Sequence, residues 1–282
     1  MLNKARQDFI SCDSDLQSAQ IVLFGAPFDG TVSYRPGTRF APKAIRGESF
    51  GIETYSPYQD KDLSDIKVCD LGDLEFPFGN PEAVLKIIED TSAEILGLNK
   101  KPFMVGGEHL VSLGAVRAAA KKFPELNIIH FDAHTDLRDE YLGQKLSHAT
   151  VMRRCHDILG DARIFQFGIR SGDRPEFEWA KSHVFMNKFN LNNIEHALDE
   201  IAGAPIYMTV DLDVLDPSEF PGTGTPEAGG VSFEELRGAL LKVAETGNVV
   251  ACDVNELSPT YDQSGASTAL ACKIIREILL SL

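Results

Sequence analysis

The sequence predicts an α/β fold, with a single three-layer α/β/α domain built on a mostly parallel sheet. Short apolar runs alternate with longer segments of helical periodicity along most of the chain, and this alternation is typical of a parallel sheet covered by helices on both faces. With 282 residues the chain is long enough to bury a sizeable core. No internal repeat and no linker rich in proline, glycine or serine divides it, so we expect one domain over residues 1–282.

The first elements are predicted from local signals. Residues 1–20 are polar and mixed in charge, and we expect an N-terminal arm or a short helix there. Residues 21–24 form an apolar run that stops just before Pro27, as expected for a first strand. Residues 30–39 are rich in glycine and proline and predict a loop. A helix begins around Pro42, because proline in the first turn loses no hydrogen bond.

The next segment continues the alternation. Residues 66–71 predict a second strand. A helix begins at Pro81, with Asn80 as its N-cap. After a strand at 102–105, residues 110–122 carry apolar and small side chains at helical spacing, which predicts another helix.

The second half of the chain repeats this pattern. The predicted strands are 128–131, 163–167, 184–186, 205–210 and 249–254, and the predicted helices are 176–181, 193–201, 233–244 and 267–280. The last helix places Ile274 and Ile278 on one apolar face.

The composition limits the possible functions. A formal net charge of −15 argues against a nucleic-acid-binding surface, which would be basic, and it is compatible with a cationic substrate. No apolar run approaches the length of a membrane span, and the first residues lack the apolar core of a signal peptide. The five cysteines are dispersed without a CxxC motif, which favours reduced thiols. We expect a cytoplasmic protein without nucleic-acid or membrane partners.

Carboxylates and imidazoles follow three of the predicted strands. They are His109 after strand 102–105, Asp132, His134 and Asp136 after strand 128–131, and Asp211 and Asp213 after strand 205–210. Ligands of open parallel sheets bind at the carboxyl ends of the strands, and side chains at i, i+2 and i+4 point the same way if the chain stays extended. Four converging carboxylates need a cation, because like charges at close range repel.

Each of these residues also has a structural interpretation. An aspartate after a strand usually caps the next turn, and a histidine such as His109 more often enters a helix or a core. An EF-hand is excluded at residue 211, because its sixth position requires glycine and is Asp216, which we interpret as a turn residue. His130 lies inside an apolar run and is predicted to be a core residue. The coincidence of three motifs nevertheless favours a metal centre.

Taken together, these motifs resemble those of a known family. GGEH at 106–109, DAHTD at 132–136 and DLDVLDP at 211–217 resemble the three metal motifs of the ureohydrolases, which include arginase and agmatinase. The resemblance extends from about residue 22 to the last helix. Within the family, QFGIRSG, PGTGTPEAGG and DVNELSPTYD are most similar to the bacterial agmatinases. The resemblance implies an arginase/deacetylase-like fold and a homotrimer or homohexamer.

The resemblance also implies a binuclear metal site. One ion would be held by His109, Asp132, Asp136 and Asp211, and the other by Asp132, His134, Asp211 and Asp213. Asp132 and Asp211 would bridge the two ions. Oxygen donors with imidazole suit Mn²⁺, so the predicted cofactor is two Mn²⁺ per subunit, with Fe²⁺, Co²⁺ and Zn²⁺ as alternatives.

Three residues are predicted to be catalytic. By analogy with the family, Asp136 would accept the proton of a bridging water, and His148 in KLSHAT would be the proton shuttle. Glu256, just past the last strand, would clamp the substrate, because a carboxylate accepts two parallel N–H bonds from a guanidinium. The alternatives are that Ser147 caps a helix with His148 just inside it, and that Glu256 is a surface residue.

The segment 137–147 is expected to form a wall of the substrate pocket. Its Asp139, Glu140 and Gln144 suit an amine tail better than a carboxylate tail, although Arg138 could pair with a carboxylate. The predicted function is therefore agmatinase activity, the hydrolysis of the small cationic guanidino compound agmatine to putrescine and urea by a hydroxide that bridges two Mn ions. The alternatives are a guanidinobutyrase, a formimidoylglutamase or an arginase, a non-catalytic metal-binding homologue, and an amide deacetylase.

Overall fold

The computed structural model describes residues 8–282. The first seven residues of the predicted N-terminal arm lie outside the described residues. The remainder of that segment, 8–20, contains turns and one isolated bridge, between Asp13 and Cys69, and the alternative of a short helix is not found within it. Phe9 is buried there, so this part of the arm packs against the domain.

Ten strands and eight α-helices follow along the described residues. The strands are β1 Ile21–Ala26, β2 Tyr55–Ser56, β3 Lys61–Asp62, β4 Val68–Asp73, β5 Lys101–Gly106, β6 Asn127–Phe131, β7 Ile164–Ile169, β8 Phe185–Lys188, β9 Ile206–Asp211 and β10 Val249–Asn255. The helices are α1 Ala41–Glu48, α2 Pro81–Gly97, α3 Ser112–Lys122, α4 Val151–Leu159, α5 Arg174–His183, α6 Ile194–Ile201, α7 Phe233–Glu245 and α8 Ala266–Ser281. Within residues 8–282, no helix is both long and apolar enough to cross a bilayer.

One eight-stranded sheet organises the chain. Its strand order is β4-β1-β5-β10-β9-β6-β7-β8, and each neighbouring pair is parallel. The short strands β2 and β3 form a separate antiparallel pair. The predicted three-layer α/β/α architecture is confirmed, and the main sheet is parallel throughout rather than mostly parallel.

Helices cover both faces of this sheet. Leu23 and Phe131 point to one face, where they join a core with α1, α6, α7 and α8. Val22 and Ile128 point to the other face, where they pack with α2, α3 and α4. Successive strand residues alternate between faces, and both faces are buried, so the strands read as continuous apolar runs in the sequence.

Cap residues explain where several helices begin. The Asn80 side chain accepts a hydrogen bond from the backbone N–H of Ala83 at 3.1 Å, with Pro81 in the first turn of α2, as predicted. Ser232 and Glu235 form a capping box at the start of α7. The sequence does not predict the β2–β3 pair, because strands of two residues show no periodicity. It also does not delimit α4, whose buried face is narrow.

The centre of the sheet brings distant segments of the chain to one edge. β5, β10, β9 and β6 are adjacent, and Val105, Val254, Val210 and Phe131 lie in register across them. These four strands therefore end at nearly the same level. The loops that follow them start side by side at the carboxyl edge of the sheet.

Candidate active site

The three sequence motifs meet at this carboxyl edge. The candidate ligands are His109 after β5, Asp132, His134 and Asp136 after β6, and Asp211 and Asp213 at the end of β9. Five of the six are buried, and the His134 side chain is 23 % exposed. Polar groups therefore cluster at the point where the apolar strands stop.

His109 faces three carboxylates. Its Nδ1 atom lies 3.1 Å from Oδ2 of Asp132, 3.3 Å from Oδ2 of Asp136 and 3.3 Å from Oδ2 of Asp211. One imidazole nitrogen and three carboxylate oxygens thus converge on a single small volume. Such a group is suited to a cation.

His134 belongs to a second group. Its Nδ1 atom lies 3.0 Å from Oδ2 of Asp213 and 3.4 Å from Oδ1 of Asp132. Asp132 therefore presents Oδ2 to the first group and Oδ1 to the second. This carboxylate therefore lies between two neighbouring groups of candidate ligands.

The backbone after β6 departs from the extended conformation. The chain does not stay extended through Asp136, which has a φ of +52°, so the condition for side chains at i, i+2 and i+4 to point the same way is not met. Glu256, after β10, has a φ of +65°. The left-handed region is strained for residues other than glycine and is found most often at functional sites. The turn at Asp136 still directs its carboxylate to His109.

The charges of this cluster strongly perturb one another. Burial, reinforced by the charges of Asp213 and Asp132, raises the pKa of Asp211 well above its usual range. Burial, together with the charge of Asp132, raises the pKa of Asp136 to about 7. Burial opposes protonation of His109, but its carboxylate neighbours nevertheless raise its pKa well above the usual value. The cluster is therefore short of positive charge.

The donor set fits two divalent cations. Within the described residues, His109, His130, Asp132 and Asp136 form one group of closely spaced donor atoms, and Asp132, His134 and Asp213 form another. Carboxylate and imidazole donors suit Mn²⁺ and related ions. Two divalent ions would offset the charge of the four carboxylates. These two groups contain five of the six ligands implied by the motif resemblance, and the sixth, Asp211, lies with its Oδ2 atom 3.3 Å from Nδ1 of His109. The assignment of the six residues as ligands stays a prediction.

A hydrogen-bonded chain supports His109 from behind. Its Nε2–H group donates to Oγ1 of Thr209 at 2.8 Å, and the Thr209 hydroxyl donates to Oδ1 of Asp253 at 2.6 Å. All three residues are buried. Sequence reasoning misses Thr209 and Asp253, although polar residues within the apolar runs of β9 and β10 are a signal that could have identified them.

His130 supports Asp132 in a similar way. It is fully buried, so the prediction that it is a core residue is confirmed. Its Nε2 atom lies 2.8 Å from Oδ2 of Asp132, and Gln166 donates from Nε2 to its Nδ1 atom at 3.0 Å. Because both ring nitrogens are engaged in this way, His130 orients a ligand carboxylate and is not itself assigned as a ligand.

A cavity of about 220 Å³ opens beside the ligand cluster. In addition to several of the ligands, its lining includes Ser33, Arg138, Tyr141, His148, Asp173, Glu176 and Glu256. Both His148 and Glu256 thus reach the same cavity as the metal motifs. Sequence reasoning places Tyr141 within the expected wall segment 137–147, but it does not identify Ser33, Asp173 or Glu176, because they lie on loops or at the start of α5.

Glu256 lines this cavity beside the metal motifs. It is buried, so the alternative of a surface glutamate is wrong. Its Oε1 atom accepts a hydrogen bond from the backbone N–H of His109 at 2.7 Å. Burial and the charge of Glu108 raise the pKa of Glu256 well above its usual range. A cationic ligand beside this carboxylate would be electrostatically favoured.

His148 lies in the turn His148–Thr150 that precedes α4. Ser147 caps this turn, as the structural alternative predicted, and His148 lines the cavity at the same time. Burial lowers the pKa of His148 to about 4, although its hydrogen bond to the Thr31 carbonyl acts in the opposite direction. The ring is therefore uncharged at neutral pH and available as a proton acceptor.

The predicted composition of the pocket wall is wrong. Asp139 is exposed and forms a 2.7 Å ion pair with Arg154, and Glu140 is exposed to solvent. Gln144 lines a separate cavity. From the segment 137–147, it is Arg138 and Tyr141 that line the cavity beside the ligands, together with His148.

Comparison with known proteins agrees with this geometry. The family model described as the arginase family matches residues 19–281. The chain belongs to the arginase family. The prediction from the motifs that the chain is a member of the ureohydrolases is confirmed. The arginase family is a family of binuclear metal enzymes.

Individual relatives span nearly the whole chain. The agmatinase of Bacillus subtilis (strain 168) is 47% identical over 275 residues, which cover 96% of this chain and 95% of that protein. The guanidinobutyrase of Pseudomonas aeruginosa is 31% identical and covers 98% of this chain and 91% of that protein. The crystal structure of the agmatine ureohydrolase of Thermoplasma volcanium superposes with a TM-score of 0.90 at 34% identity, covering 99% of this chain and 94% of that one.

Proposed function

We propose that this protein hydrolyses agmatine to putrescine and urea, using two Mn²⁺ ions per chain. The observation that carries the proposal is the charge arrangement of one small cavity. The buried Glu256 lines this cavity together with the ligand cluster, and Arg138, Asp173 and Glu176 form an outer wall of net negative charge, in which Arg138 and Asp173 reach solvent. Agmatine is a dication with a guanidinium at one end and an ammonium at the other. The similarity to the Bacillus subtilis agmatinase supports the same assignment.

The outer wall favours an ammonium over a carboxylate. The Nη2 atom of Arg138 lies 3.0 Å from Oδ2 of Asp173, and its Nε atom lies 3.3 Å from Oε2 of Glu176. One cation and two carboxylates leave a formal charge of −1 in this group. Arg138 is therefore already paired, and a second anion from a substrate would meet net repulsion.

Glu256 is proposed to bind the guanidinium. Its Oε1 atom faces the backbone N–H of His109, which fixes the carboxylate plane. A carboxylate held in this way can accept two parallel N–H bonds from a planar guanidinium. This contact would orient the central carbon of agmatine toward the ligand cluster.

The proposed reaction needs a strong nucleophile, because the guanidinium charge is delocalised. Two divalent ions, when bound by the six ligands, supply a water that is deprotonated near neutral pH. In the proposal, the Asp136 carboxylate takes up the proton released by this water. The water oxygen adds to the guanidinium carbon, and the bond from that carbon to the butylamine nitrogen then breaks.

His148 is proposed to deliver the proton to the leaving amine. Because its low pKa leaves the ring neutral, Nε2 can accept the proton that Asp136 took up and pass it on to the departing nitrogen, while the hydroxyl proton of the adduct is lost as the urea carbonyl forms. The products are then putrescine and urea, with one water consumed. General acid–base assistance of this kind contributes about 10²–10⁴-fold to a rate.

Urea release from a matched pair of substrates tests the proposal. Agmatine and 4-guanidinobutyrate share the guanidinium and differ in an ammonium against a carboxylate at the other end. We expect kcat/KM for agmatine to exceed that for 4-guanidinobutyrate by about 10²-fold or more, because the outer wall repels a carboxylate. An equal or higher value for 4-guanidinobutyrate would contradict the proposed substrate.

The metal requirement is tested in the same assay. We expect activity to be lost on chelation and restored by Mn²⁺, with two metal ions per chain by elemental analysis. Restoration by Zn²⁺ alone, or one ion per chain, would contradict this part of the proposal. Assembly into trimers or hexamers and a cytoplasmic location stay predictions.

A further inference from the structure

The GGEH motif contains a buried glutamate that is not among the metal ligands. We propose that Glu108 is a positioning residue, which holds Thr31 so that Thr31 in turn fixes the His148 ring with Nε2 facing the cavity. The inference deepens the proposed function, since it rests on proton transfer by His148.

The side chain and the backbone N–H of Glu108 form hydrogen bonds to the loop that follows β1. It is fully buried, and its Oε2 atom accepts a hydrogen bond from the backbone N–H of Thr31 at 2.9 Å. Its Oε1 atom accepts a short hydrogen bond from the Thr31 hydroxyl. The backbone N–H of Glu108 donates to the carbonyl of Phe28 at 2.7 Å. Three hydrogen bonds therefore tie this one residue to the loop.

The neighbouring glycine keeps the loop against the motif. A Cβ atom on Gly107 would lie 2.0 Å from the carbonyl oxygen of Phe28. Glycine is thus required for the close approach that brings Glu108 to Thr31. The second glycine of GGEH and its glutamate act on the same loop.

Thr31 in turn contacts His148 at two points. The backbone N–H of His148 donates to Oγ1 of Thr31 at 3.2 Å, and Nδ1 of the ring lies 3.0 Å from the Thr31 carbonyl oxygen. A carbonyl oxygen only accepts hydrogen bonds, so Nδ1 must carry the proton. A neutral ring then has an unprotonated Nε2, which is the atom that can accept a proton.

The remaining contacts leave Nε2 directed into the cavity. Oγ of Ser33, which lines the cavity, lies 3.3 Å from Nε2 of His148. The ring of Tyr141 meets the His148 ring edge-on, with centroids 5.9 Å apart. Ser147 caps the backbone of this turn, and its Oγ atom lies 3.4 Å from Nδ1 of His148, whereas the Thr31 carbonyl oxygen lies closer to Nδ1, at 3.0 Å. Capping alone therefore does not account for the orientation of Nε2.

A matched pair of substitutions tests the role of the Thr31 hydroxyl. Thr31→Val keeps the side-chain shape but removes the two hydrogen bonds of the hydroxyl, to Oε1 of Glu108 and from the His148 N–H. The backbone N–H of residue 31 still donates to Oε2 of Glu108. Thr31→Ser keeps the hydroxyl. We expect kcat for agmatine to fall about 10²-fold in Thr31→Val with little change in KM, because the proton acceptor is displaced. Thr31→Ser should stay close to the unmodified protein. Glu108→Gln should change kcat in the same direction as Thr31→Val, because the amide keeps one oxygen to accept from the Thr31 N–H, whereas its NH₂ group cannot accept from the Thr31 hydroxyl.

The histidine tautomer provides a readout that needs no substrate. With ¹⁵N-labelled histidine and Zn²⁺ as a diamagnetic ion, long-range ¹H–¹⁵N spectra distinguish Nδ1–H from Nε2–H rings, and the His148 signals are identified by their loss in His148→Asn. We expect a pure Nδ1–H form in the unmodified protein and a mixture in Thr31→Val.

Several results would overturn the proposal. An Nε2–H form of His148 in the unmodified protein would overturn the proposal even if no variant folded. An unchanged kcat in Thr31→Val would also overturn it, and so would equal decreases in kcat in Thr31→Val and Thr31→Ser. Metal content and unfolding temperature check that each variant retains its fold. If the unmodified protein releases no urea from agmatine, the proposed function fails, while the tautomer still decides the positioning role.

Discussion

Removing one buried hydroxyl should weaken metal binding without altering a ligand. Thr209→Val replaces the Thr209 hydroxyl, which links His109 to Asp253, with a methyl group of similar size. The substitution breaks two hydrogen bonds, of 2.8 Å to His109 Nε2 and of 2.6 Å to Asp253 Oδ1. His109 then has no acceptor for its second N–H group.

The magnitude follows from which groups lose a partner. Asp253 keeps hydrogen bonds from Asn255 Nδ2, at 2.6 Å, and from the Tyr207 hydroxyl, so the carboxylate remains satisfied. The buried Nε2–H of His109 loses its acceptor, which costs about 1–3 kcal/mol. In the metal-free protein the ring can turn to recover part of this cost, whereas a bound ion holds it in place. We therefore expect Kd for Mn²⁺ to rise about 10–100-fold.

Competition with a fluorescent chelator measures this affinity. Metal-free protein would be titrated with Mn²⁺ in the presence of the chelator, for the unmodified chain, Thr209→Val and Thr209→Ser. The serine variant is the matched control, because it keeps the hydroxyl and loses only a methyl group. Its Kd should stay close to that of the unmodified protein.

Two outcomes would refute the reasoning. If Thr209→Val bound Mn²⁺ as tightly as the unmodified protein, the hydroxyl would not orient His109. If Thr209→Ser lost as much affinity as Thr209→Val, packing and not hydrogen bonding would be responsible.

Three other predictions follow from the site. Asp132→Ala removes the carboxylate that lies between the His109 group and the His134 group of candidate ligands. Elemental analysis should therefore find neither metal ion, and no urea should form. One retained ion would argue against a shared ligand. His148→Ala should keep two metal ions and lower kcat about 10²–10⁴-fold, and full activity across pH would exclude the shuttle role. For metal-free protein, the depressed pKa of His148, about 4 against an ordinary 6.5, means that the unfolded chain binds the extra proton first as pH falls. The contribution of neutral His148 to the free energy of unfolding is complete above pH 6.5 and is lost as the pH falls toward 4. Denaturant unfolding should therefore show a smaller loss of stability over this interval in His148→Asn than in the unmodified protein, with a difference of at most about 3 kcal/mol. Identical pH profiles for the two proteins would contradict the lowered pKa.

The candidate ligands could be predicted from the sequence because their positions depend on regular structure. Asp132 and Asp211 come directly after or at the end of apolar runs, and a parallel sheet brings such positions to one edge. His109 follows a third run in the same way. The positions of these three residues follow from where the strands end, so predicting them requires no knowledge of a loop conformation.

The pocket wall could not be predicted, because it depends on pairings between loops and helices. Asp139 turns outward to Arg154 on α4, a helix that the sequence does not delimit. Asp173 and Glu176 instead meet Arg138 from the start of α5. Thr31 reaches His148 across 117 positions of sequence, and no local pattern announces that contact.

The strand order also determines when the site can form during folding. His109 follows β5 in the group β4, β1 and β5, while the aspartates follow or end β6 and β9 in the group β9, β6, β7 and β8, and these two groups of strands are hydrogen-bonded to one another only through β10. β10 is the last strand along the chain, so it must insert between two partly assembled sheets. Such long-range pairing is slow. During synthesis, at about 5–20 residues per second, the two halves of the site stay apart until this strand emerges. Metal uptake would therefore report the completion of folding, and a nascent chain would have no assembled site with which to capture ions prematurely.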